Sequence, residues 1–138
     1  MTHPETYGGG AALSPSFWVG LDVPGTSLSL GDLPDSELLD VARPTLEDRA
    51  LRPRLWIDWG LRRTAGFHDS EIERLATERG QEMVDLLEVE FGYRAAVFGA
   101  PGVETNADLL VHVDPIGGHD EDAWAWRFRL VLEAFYSE

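Results

Sequence analysis

Hydrophobic and polar positions alternate with a period of two in several stretches of the chain and with a helical period in one. Residues 54–60 (RLWIDWG) put Leu55, Ile57 and Trp59 on one side and Arg54, Trp56 and Asp58 on the other, the pattern of a strand with a buried and a mixed face. Residues 107–114 alternate likewise, with Leu109, Val111 and Val113 opposed to Asp108, Leu110, His112 and Asp114. Residues 93–98 read as a strand that pairs with them in a hairpin, the connection opening on Gly99-Ala100-Pro101-Gly102. Residues 16–23 (SFWVGLDV) suit a further strand, closed by Pro24-Gly25. In 124–136, Trp124, Trp126, Phe128, Leu130, Leu132, Ala134 and Tyr136 alternate without a break. Helical spacing also collects Trp124, Phe128, Val131, Leu132 and Phe135. A strand puts Arg127 and Arg129 on one face, and this favours strand.

The helical period is clearest over 70–91. Ile72, Leu75, Ala76, Met83, Leu87 and Phe91 form one stripe, Ser70 with Glu73 has the capping-box spacing, and Gly92 stands where a helix ends. Gly80, inside this helix, marks a kink or a close approach to the sheet. A short helix is expected from Asp35 to Ala42, stopped by Pro44. These elements sum to an α+β fold: a two-layer sandwich in which an antiparallel sheet of four to five strands packs against one long helix, about 70–91. Residues 1–15, with Gly8-Gly9-Gly10 between Pro4 and Pro15, read as an arm, either mobile or held by a partner. Residues 16–138 then make one domain.

Composition narrows the partners. There are 25 acidic and 11 basic residues, a formal charge of -14, and every basic residue is arginine. Such a chain repels nucleic acid and anionic membranes. No cysteine is present, which excludes thiol chemistry and disulfides. The first 20 residues lack a signal-peptide pattern, and no stretch approaches the ~20 apolar residues of a membrane span. The expectation is a soluble protein, cytoplasmic or inside an assembled particle.

Candidate chemistry is sparse. No G-x-S-x-G occurs, and the glycine run lacks the spacing of a phosphate cradle. His112 and Asp114, two apart on a strand, share a face with Asp108, and His119-Asp120 follows in the next loop; these are the residues a small metal-dependent enzyme would use. The carboxylate pairs are most simply solvated faces, so the sequence implies no cofactor and no catalytic residue. Aromatics exceed the needs of one small core. Tyr7, Phe17, Trp18, Arg54, Trp56, Trp124, Arg127 and Arg129 are the candidate interface residues, because exposed Trp, Tyr and Arg anchor protein contacts.

Over 54–138, a helix followed by a hairpin and an aromatic terminal strand resembles, in element order alone, the small tail-completion and connector proteins of tailed viruses. The resemblance implies a structural subunit that assembles into rings and docks through arms and sheet edges. The expected function is therefore non-enzymatic: a protein–protein interaction or assembly subunit, a homo-oligomer or part of a multi-protein particle. An acidic neutraliser of a basic partner, either an immunity protein or a nucleic-acid mimic, is the first alternative. The metal-dependent enzyme is the second.

Overall fold

A computed structural model describes residues 8–15, 17, 37–61, 70–100 and 107–136. The elements follow in the order β1 (Gly9–Leu13), α1 (Glu37–Glu47), β2 (Arg54–Gly60), α2 (Ser70–Val89), β3 (Ala95–Val97), β4 (Leu109–Asp114) and α3 (Glu121–Tyr136). The strands form a single sheet in the order β1-β2-β4-β3, and every neighbouring pair is parallel.

This overturns the expected antiparallel sandwich: the fold is α/β. Parallel strands are covered on both faces, so their sequences carry apolar residues at both parities. On one face Leu55, Ile57 and Trp59 of β2 and Leu109, Val111 and Val113 of β4 meet Leu39 and Leu46 of α1 and Met83, Val84 and Leu87 of α2. On the other, Trp56 and Leu110 meet Leu130, Val131, Ala134 and Phe135 of α3. The architecture is thus three-layered, with α1 and α2 on one side of the sheet and α3 on the other.

The hairpin over 93–114 is also replaced. β3 and β4 run in the same direction, Ala95 opposite Leu109 and Val97 opposite Val111. Parallel neighbours cannot be joined by a tight turn; of the connection, residues 101–106 lie outside the described residues.

The terminal segment is a helix, not a strand. Asp120 caps it, its Oδ1 accepting the Ala123 amide hydrogen at 2.9 Å, and Glu121 and Asp122 fill the first turn, where the helix dipole favours acids. Arg127 and Val131 are its buried residues. Arg127 and Arg129 do lie on opposite sides of the helix, one in the interior and one in solvent. With hairpin and terminal strand both gone, the element order that resembled viral connector proteins is not present.

The glycine run read as an arm supplies β1. Gly9 suits the edge because the Phe135 ring lies 3.1 Å from where its Cβ would stand. The strand expected at 16–23 has only Phe17 among the described residues, and Phe17 sits in a turn. α1 continues past Ala42 with Pro44 inside it, because Leu39, Ala42 and Leu46 keep one apolar face on the core. Two sequence expectations hold at α2. Gly80 is a close approach, its absent Cβ falling 2.6 Å from the Trp59 ring, and Gly92 follows the helix at φ 66°. Among the described residues no helix is long and apolar enough to cross a membrane.

Candidate functional site

Because the strands are parallel, their carboxyl ends meet at one edge of the sheet. There Ser14 follows β1, Asp58 and Gly60 end β2, and Asp114 ends β4. The rule for open α/β sheets places ligands outside this edge. The edge is built on a buried ionic cluster. Arg127, 0% exposed, reaches up from α3; its Nε donates to Asp58 Oδ1 at 2.8 Å and its Nη2 to Ser14 Oγ at 2.7 Å. Nη1 stands 3.5 Å from Asp114 Oδ2, and both terminal nitrogens lie at 3.4–3.5 Å from the Gly118 carbonyl oxygen. The other oxygen of Asp58, itself 0% exposed, accepts the Trp56 indole N–H at 2.8 Å. The Ser14 amide donates to both the carbonyl and the carboxylate of Asp58, and Ser14 takes a φ of 45° to do so.

Two carboxylates therefore share one guanidinium. Their protons respond in opposite ways. Burial pushes the Asp58 carboxyl above its ordinary value, and the Trp56, Arg127 and Ser14 contacts offset this only in part. At Asp114 burial acts in the same upward direction, but the amide hydrogens of Gly117 and Ile116, with Arg127, outweigh it and hold the carboxyl below the usual range. His112, half-buried against Trp56 and Phe98, is lowered by burial and by the nearby Arg127, against the upward pull of Asp58 and Asp114.

The cluster fixes the loop after β4. Gly117 lies where a Cβ would strike the Asp114 carboxylate, and a Cβ on Gly60 would strike the Gly117 carbonyl, so both positions exclude side chains. This loop delivers His119 beside the first turn of α3, where its ring meets Trp124 edge-on with centroids 5.1 Å apart. Leu13, Ser14, Pro15, His119, Trp124, Ala125 and Phe128 line an open depression of about 660 Å³. No protein-family model, curated protein or solved structure matches the chain. A second cavity, about 260 Å³ between β1, β2, α1 and α2, has no titratable group in its lining.

The sequence-derived interface residues are dispersed. Trp56 and Arg127 are internal. Arg54 clasps the amino end of the sheet to α3, its Nε donating to the Ala107 carbonyl at 3.1 Å and its Nη1 to that of Ala134 at 3.0 Å, beside the Phe135 ring. Trp124 belongs to the depression. Phe17 is half-buried on the α1/α2 core. Arg129 is exposed, paired with Glu133 at 3.1 Å and stacked over Trp126. Tyr7 and Trp18 lie outside the described residues.

The candidate metal ligands separate as well. Asp108 binds Arg52 and the Arg94 amide, and Asp114 is taken by Arg127 and two backbone amides. Among the described residues no three His, Cys, Asp or Glu side chains form a metal-binding group. Asp58 and Ser14 were not among the residues singled out from sequence. The signal for Asp58 was its place between two tryptophans in an apolar strand: a carboxylate there must find a cation.

Proposed function

We propose that the chain binds a small uncharged organic ligand in the depression at the carboxyl edge of its sheet, and that His119 is the proton-transferring group there. One observation carries this reading. A buried guanidinium, two carboxylates and two obligatory glycines are spent on fixing the shape of the loop that presents His119. Burying ions is costly, and the arrangement preorganises the imidazole, as catalytic supports do.

Trp124, Phe128, Leu13 and Pro15 offer apolar surface, so the ligand has an aromatic or aliphatic part. The net charge of -14 disfavours an anion. Ser14 is not a nucleophile in this scheme, since its Oγ accepts from Arg127 and is buried. His119 then acts as general base on water, and hydrolysis of a neutral acyl ester is the simplest reaction that one imidazole supports.

The test compares wild type with His119→Gln on p-nitrophenyl acetate and butyrate. The expected loss is about 100-fold or more in rate, the usual worth of one general base. Equal rates, or no rate above solvent in either protein, would remove the reading.

The interaction and assembly role expected from the sequence is the second reading. It is favoured by the large apolar side chains that α3 leaves in solvent, among them Phe128, Leu132 and Tyr136.

A further inference from the structure

We draw no further inference here: the strongest candidate, the indole N–H of Trp124 in the wall of the depression, its nitrogen buried without an acceptor among the described residues, belongs to the site already described and is as closed to a ligand atom as it is to water, so it says nothing of what binds there.

Discussion

Arg127→Met isolates what the buried cluster contributes. The replacement keeps most of the volume and removes the only cation that, among the described residues, touches Asp58 and Asp114. Asp58, fully buried, retains the Trp56 indole and the Ser14 amide but must then carry an unbalanced charge or take up a proton. Protonation sets the limit on the loss. Holding a proton on a carboxyl that ordinarily titrates near 3.9 costs about 1.4 kcal/mol per pH unit, hence about 4 kcal/mol at pH 7 and about 1.5 kcal/mol at pH 5. The pH 7 figure agrees with the ~3–5 kcal/mol known for breaking a buried pair from one side. At pH 7 it lowers the melting temperature by about 15 °C for a domain of this size. Urea denaturation of both proteins at pH 7 and pH 5 measures the two differences. A loss under ~1 kcal/mol at pH 7, or one that does not shrink on acidification, refutes the reasoning. The acid-variant double replacement Arg127→Met with Asp58→Leu should recover much of the loss, since the stranded charge is gone.

Three further outcomes follow from single positions. Gly80→Ala, favourable by about 1 kcal/mol in an open helix, is destabilising here by about 1–3 kcal/mol because the Trp59 ring occupies the site of the new methyl; differential calorimetry reads the sign, and a raised melting temperature contradicts the packing. Gly117→Ala drives a methyl into the Asp114 carboxylate and displaces the His119 loop; amide exchange speeds up over 115–120 before it does in α2, and unchanged protection there refutes it. His112 is harder to protonate folded than unfolded, so the stability tied to it is full above pH ~7 and declines as pH falls through the unfolded value near 6.5 toward the lower folded one. His112→Gln flattens that part of the stability curve between pH 7.5 and 5.5 in urea titrations, and an identical decline in both proteins counts against the burial of the imidazole.

The elements at 54–60, 70–89 and 109–114 were legible because their periods are strong and their ends carry Gly or capping residues. Strand direction was not. Leu109-Leu110-Val111 is apolar at consecutive positions, the mark of a strand covered on both sides, but Asp108, His112 and Asp114 give it the alternation of a strand with one buried and one mixed face. α3 misled for a related reason: its aromatics occur at every second position, yet only the stripe through Arg127 and Val131 is buried. The sequence did contain the helix start, Asp120 followed by Glu121 and Asp122. Of the candidate site, His119 and Trp124 were noticed singly. Their meeting with Ser14 depends on a sheet order that no local pattern encodes.

That order has a consequence for how the molecule is made. Gly9 must find Arg54, Leu55 must find Leu109, and the Arg127 guanidinium closes on a hydroxyl 113 residues earlier in the chain. A ribosome releases these partners in strict succession, and the nascent β1 and β2 have no central neighbour until β4 emerges. The hydroxyl–guanidinium bond therefore waits until α3 has been made, and until then β1 and β2 lack both β4 and the helix that covers their second face.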